Sequence, residues 1–184
     1  MAVLKKIKKR LLVYLISHLP LCVAAQVSDT EVELLKQLDS VQQSTSVARH
    51  FAAIYFETTV RAVRFFEYRK ENEKDFIQRL ETSFAGYFFR SAEAFRNHTP
   101  IPAAWQAYFS DTALSPLQYQ LLGINAHING DIWQALTSAF SLQEIQANKK
   151  SYYAFQKALS QQYRSFYNRS VATSSTTRTL HTIT

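Results

Sequence analysis

Apolar residues recur along most of this chain at steps of three and four, the spacing of one face of an α-helix. From Ser46 to Arg69, the residues Val47, Phe51, Ile54, Tyr55, Thr58, Ala62 and Phe65 fall on one side. From about Glu73 to Arg96, Phe76, Leu80, Phe84, Tyr87, Phe88 and Phe95 do the same. Ile145, Tyr152, Phe155, Leu159 and Phe166 mark a last long helix. The punctuation agrees with the periodicity. Ser28 followed by Glu31 forms a capping box and opens a helix running to about Gln43. "NHTPIP" interrupts the chain, because proline and the residue before it resist helix. A short helix from Pro102 to about Phe109 follows and carries Trp105. Ser115-Pro116 is a cap with proline at the first helical position, and Ser141 with Glu144 repeats the capping box. After Asn168 the chain turns polar and loses its period, which reads as a disordered Ser/Thr-rich tail over 169–184. With only 3 glycines and 4 prolines, the chain lacks the turn residues a sheet protein needs. The expectation is an all-α, single-domain bundle of five to six helices over residues 26–168.

One helix departs from simple amphipathicity. "GINAHINGDIW", residues 123–133, holds two of the 3 glycines and four hydrogen-bonding side chains among apolar ones. At roughly 100° per residue, Leu117, Leu121, Ile124, Ile128, Ile132 and Ala135 share one face, while Leu122, Ala126 and Trp133 cluster nearly opposite. A helix that is apolar on two sides belongs in the middle of a bundle, so this motif helix is expected to be central and mostly buried. Two polar seams separate those faces. Asn125 and Asn129 line one; His127 and Asp131 line the other, bordered by Gly123 and Gly130. Glycine costs about 1 kcal/mol relative to alanine within a helix, so two of them imply close approach of a backbone or ligand.

Buried polar groups must be paired. His127 and Asp131, one turn apart, admit three arrangements. Asp131 can fix the imidazole tautomer and leave the other nitrogen free as a base. Both can ligate a divalent metal, with Glu57 and Glu93 on the second and third helices as the best further carboxylates. Or both can tie neighbouring helices together without chemistry. The first two make His127 and Asp131 candidate catalytic residues and Asn125 and Asn129 candidate substrate donors. Stripes of Phe and Tyr at this spacing, and rows such as Arg79, Ser83, Gly86, Arg90 and Glu93, are ordinary core and ordinary solvated flank. No Glu-x-x-His occurs, which excludes a ferritin-like di-iron site, and His-Glu-x-x-His, Gly-x-Ser-x-Gly and phosphate-binding glycine loops are absent.

Charge changes the picture once the N-terminus is considered. "MAVLKKIKKRLLVYLISHLPLCVAAQ" has the outline of a signal peptide, with five basic residues, a short apolar run from Leu11 and small residues at Val23-Ala24-Ala25. Residues 1–25 are therefore expected to be cleaved before Gln26, placing the protein in the periplasm or outside the cell. An uncleaved membrane anchor is the alternative, and Leu21 is too large for a lipobox before Cys22. The formal charge is +7, from 21 basic and 14 acidic residues; without the five leader bases it is 16 minus 14, or +2. No Lys or Arg lies between Arg96 and Lys149. A nucleic-acid groove needs a clustered basic face, so no nucleic-acid partner is expected. Cys22 is the 1 cysteine and falls in the leader, which removes disulfides, thiol catalysis and cysteine metal sites from the mature protein.

"LLGINAHINGDIWQAL" resembles the hallmark of an uncharacterised, all-helical bacterial domain family whose members carry a helix close to N-A-H-I-N-x-D-L. Asn125, His127, Asn129 and Asp131 match it, and Ile132 stands where leucine is usual. "HFAAIYFETTVRAV", "FAGYFFRSAEAF" and "IPAAWQAYF" are similar to the upstream context, so the resemblance spans roughly residues 45–140. It implies a helical fold and points to the motif helix, but implies no activity. Two function classes stand side by side. One is a cation-binding or hydrolase-like site centred on His127 and Asp131. The other is a non-catalytic module for a small apolar ligand, a lipid or a membrane-proximal partner protein.

Overall fold

The computed structural model describes residues 28–111 and 113–173, with side chains at 162, 163 and beyond 164 left aside. The expected leader with Cys22, and residues 174–184 of the expected tail, lie outside the described residues. The chain folds as α1 (Asp29–Gln42), α2 (Arg49–Phe66), α3 (Glu71–Arg96), α4 (Ala103–Phe109), α5 (Pro116–Ala126), a π-helical turn (His127–Asp131), α6 (Ile132–Ala139) and α7 (Leu142–Thr173). No strand occurs among the described residues. The architecture is the all-α, single-domain bundle that the periodicity implies.

The caps form where the sequence places them. Ser28 accepts the Glu31 N–H at 3.2 Å while Glu31 reaches back to the Ser28 N–H at 3.0 Å. Ser115 and Gln118 exchange the same pair of bonds at the start of α5, as do Ser141 and Glu144 before α7. Helix α2 has no side-chain cap of its own. Its entry is tied down from a distance: the Tyr108 hydroxyl accepts the Phe51 N–H at 3.2 Å and donates to the Val47 carbonyl at 2.8 Å. Helix α7 runs through Thr173 rather than ending at Asn168, because neither Gly nor Pro follows Asn168 to stop it.

Helix α3 is the hub, packing against α1, α2, α6, the π turn and α7. Leu34, Leu35 and Leu38 of α1 join Phe51 and Tyr55 of α2, Phe76, Leu80, Phe84 and Phe88 of α3, and Trp105, Tyr108 and Phe109 of α4 in one core. Phe155 and Leu159 of α7 close it on the remaining side. Arg79 fixes the α6–α7 corner: its guanidinium bonds the Ala139 carbonyl, bonds Glu144 at 2.8 Å and lies 4.5 Å over the Phe140 ring.

A buried histidine against an aromatic cavity

The motif segment is not one continuous α-helix. At the end of the turn the Ile132 N–H bonds the His127 carbonyl, five residues back, which is the π pattern. Such a turn inserts one extra residue and delays everything after it by roughly 100°, and these insertions occur often at functional sites. The consequence is visible at Trp133. Uniform α phasing puts it on a second buried face beside Ala126, yet it is 60% exposed. The segment therefore has one buried side, with Gly123, Ala126, His127, Asp131 and Ala135, and one outer side.

Both motif glycines are contact points. A Cβ on Gly123 would run into the Phe51 ring of α2, and one on Gly130 would run into Ala104 of α4. The second contact brings the next residue, Trp105, against the turn. Its indole N–H donates to Asp131 Oδ2 at 2.9 Å, and His127 Nδ1 lies 3.0 Å from the same oxygen. Both side chains are buried, His127 at 4% and Asp131 at 2% exposure. A carboxylate oxygen can only accept, so Nδ1 carries the imidazole proton. Burial pushes the imidazole down to about 4 against the opposing pull of Asp131, which keeps the ring neutral at ordinary pH. Nε2 is then a bare lone pair, and it is buried with no hydrogen-bond partner.

The ring is held from several sides. Phe84 stacks on it with centroids 3.3 Å apart, and Tyr55 and Phe51 meet it edge-on at 4.6 and 5.1 Å. The ring also lines a cavity of about 50 Å³, walled by Phe51, Tyr55, Phe84, Ile124, Phe155 and Leu159 among others. Glu81 of α3 also lines it and is 8% exposed. Burial pushes its carboxyl up to about 7, while hydrogen bonds from Thr59 and Tyr55 pull the other way. The Thr59 hydroxyl lies 3.4 Å from Glu81 Oε2, and the Tyr55 hydroxyl donates to the Glu81 carbonyl at 3.1 Å.

Glu81 and Trp105 are the two polar groups that sequence reasoning did not assign to the site. Each left a signal. Ile77 lies four residues before Glu81, and Phe84, Ala85 and Phe88 lie three, four and seven after it, so its phase is that of the buried face. Trp105 carries an N–H that must find an acceptor once buried.

The other candidate residues lie elsewhere. Asn125 and Asn129 bond each other at 2.8 Å on the exposed side, near Leu121, Ile128 and Trp133, and face solvent rather than the cavity. Glu57 is half-buried, roughly 120° around α2 from the row Phe51, Ile54, Tyr55 and Thr58 that lines the cavity. Glu93 is exposed, pairs with Arg96 at 3.3 Å, and sits about 13 Å along α3 from Phe84. The four-residue metal set of His127, Asp131, Glu57 and Glu93 is thus not assembled. Among the described residues no three His, Cys, Asp or Glu side chains gather as a metal site requires.

A family profile described as a family of unknown function, DUF5995, matches residues 27–184. The chain belongs to this family. The match extends on both sides of the residues 45–140 over which the motif helix and its upstream context show a resemblance, and it takes in the whole of α7. No curated protein and no solved structure matches the chain. In this DUF5995 chain no helix among the described residues is long and apolar enough to cross a membrane.

Proposed function

We propose that this chain is an exported, non-catalytic binding domain whose buried cavity takes a small, mostly apolar molecule that donates a hydrogen bond to His127 Nε2. The observation that carries the reading is that nitrogen: an acceptor, buried, unpartnered, on a ring that walls a largely apolar cavity. An unmet buried acceptor costs about 1–3 kcal/mol, and a ligand donor removes that cost. A site of one oriented polar group in apolar walls is how small-molecule pockets set orientation. Size follows from volume. A water-sized group needs about 10–15 Å³ of such space, so 50 Å³ holds a ligand of roughly three to five heavy atoms. Export rests on the basic leader and the small residues before Gln26.

The arrangement of Asp131, Nδ1–H and a bare Nε2 also favours a second reading, His127 as a general base oriented by Asp131. Burial weakens it, since an imidazole pushed to about 4 is a poor base at neutral pH. The test uses n-butanol as probe, observed by NMR shifts of His127 and by the rise in Tm with alcohol concentration. Saturable shifts at His127 and a saturable rise in Tm are expected in the wild type, and the rise in Tm is lost in His127→Phe. A filled cavity, Leu159→Trp, should lose both the shifts and the rise, and serves alone if His127→Phe fails to fold. Absent shifts in the wild type, or a rise in Tm that persists in both variants, overturn the reading.

A further inference from the structure

Glu81 is the acid of the cavity wall, and the neighbouring polar groups meet it only in part. The Thr58 hydroxyl donates to the Ile54 carbonyl at 2.9 Å, and the Tyr55 hydroxyl donates to the Glu81 carbonyl at 3.1 Å. One of the two Gln156 amide hydrogens goes to the Tyr152 hydroxyl at 2.9 Å. The wall also holds two acceptors: His127 Nε2, which no hydrogen bond satisfies, and the Glu81 carboxyl, whose Oε2 lies 3.4 Å from the Thr59 hydroxyl. No Lys or Arg stands among the described residues that line the cavity. Above about pH 7, where Glu81 gives up the proton that burial holds on it, a buried carboxylate without a cation beside it is costly, and a ligand that brings the cation removes the cost. The walls suit such a ligand as well, since Phe51, Tyr55, Phe84, Tyr152 and Phe155 present aromatic rings to the same space.

We infer that the cavity selects a small primary alkylammonium, with its N–H groups shared between Glu81 and His127 Nε2 and its short carbon chain against the aromatic walls. The inference rests on the binding-domain reading and names its ligand class. Three alternatives fit less well. An alcohol offers one donor to two acceptors. A carboxylate would place a second negative charge beside Glu81. A divalent metal needs more ligands than one carboxylate and one imidazole, and no larger group of metal-ligating side chains is present among the described residues. An ammonium has three donors and one charge, which matches a carboxylate and a lone pair.

The experiment compares n-butylammonium, n-butanol and n-butyrate, equal in chain length, by calorimetric titration of the wild-type protein at pH 8 and constant ionic strength. The expected order is butylammonium first by at least tenfold, butanol second, butyrate not bound. In Glu81→Gln the ammonium preference should vanish while butanol affinity stays within about threefold of wild type. Equal binding of butanol and butylammonium overturns the ammonium inference and leaves the cavity reading standing. Tighter binding of butyrate does the same. Binding of none of the three overturns both. The wild-type ranking decides the matter alone if Glu81→Gln does not fold.

Discussion

His127–Asp131 and Asn125–Asn129 are the same device in two settings. Each pair is spaced by four on the same motif segment, and each forms one side-chain hydrogen bond, at 3.0 and 2.8 Å. The inner pair is buried beneath α2, α3 and α4, with Trp105 as a third member; the outer pair faces water. The hydrogen bond itself is alike in both. What differs is the cost of losing it: an exposed amide regains its bond from solvent, whereas a buried imidazole or indole cannot. Spacing locates a pair, but burial decides its consequence.

The sharpest way to break the comparison is to cut each pair. Asp131→Ala orphans two buried donors, Trp105 Nε1–H and His127 Nδ1–H, and should cost about 4 kcal/mol in chemical denaturation. A loss below about 1 kcal/mol would mean that the inner pair is as well solvated as the outer one.

Next in size is a pair of opposite pH dependences. His127 is held neutral down to about 4, below its unfolded value, so the unfolded chain takes up the extra proton first. Its contribution is present above about 6.5 and is lost as pH falls toward 4. Glu81 is raised to about 7, so the folded chain keeps a proton that the unfolded chain has released. Its contribution is present below about 4.5 and is lost as pH rises toward 7. Each amounts to a swing on the order of 3 kcal/mol, and in the wild type they largely cancel between pH 4.5 and 6.5. Glu81→Gln should therefore gain stability with rising pH across this window, and His127→Phe should lose it. Urea midpoints from pH 4.5 to 6.5 read both slopes; slopes of the same sign in the two variants would contradict the assignment.

Gly130→Ala tests the packing that assembles the inner pair. In an exposed helix this change gains about 1 kcal/mol. Here the new methyl meets Ala104, so a loss of about 2 kcal/mol is expected, with a red-shifted Trp105 emission as α4 moves away. A gain in Tm would show that the close approach is not needed. Smallest is Asn129→Ala, which should alter stability by less than about 0.5 kcal/mol because Asn125 is open to water.

Much of this was legible in the chain. Ser28, Ser115 and Ser141 each open a helix because a hydroxyl and a Glu or Gln three residues on satisfy the first backbone N–H groups locally. The pairing of His127 with Asp131 was legible for the same reason: it is set by one helical turn. The π turn was not, since it is a backbone register change with no residue type of its own, and it moved Trp133 from an expected buried face to the outside. Glu81 and Trp105 were missed because their roles come from tertiary neighbours. A carboxylate within an apolar row reads as an exposed charge until α2 and α7 cover it. The choice of Glu57 and Glu93 erred the other way, taking charge as evidence of a site where the helix phase and length put both away from His127.

The state of His127 is the point on which the proposed site turns, and nitrogen-15 NMR of the labelled imidazole reads it directly. At pH 6 the ring should be neutral with the proton on Nδ1 and an unprotonated Nε2, and it should stay so as the pH is lowered to about 5. A proton on Nε2, or an imidazolium at pH 6, would leave the ring no acceptor to offer a ligand and would contradict the site.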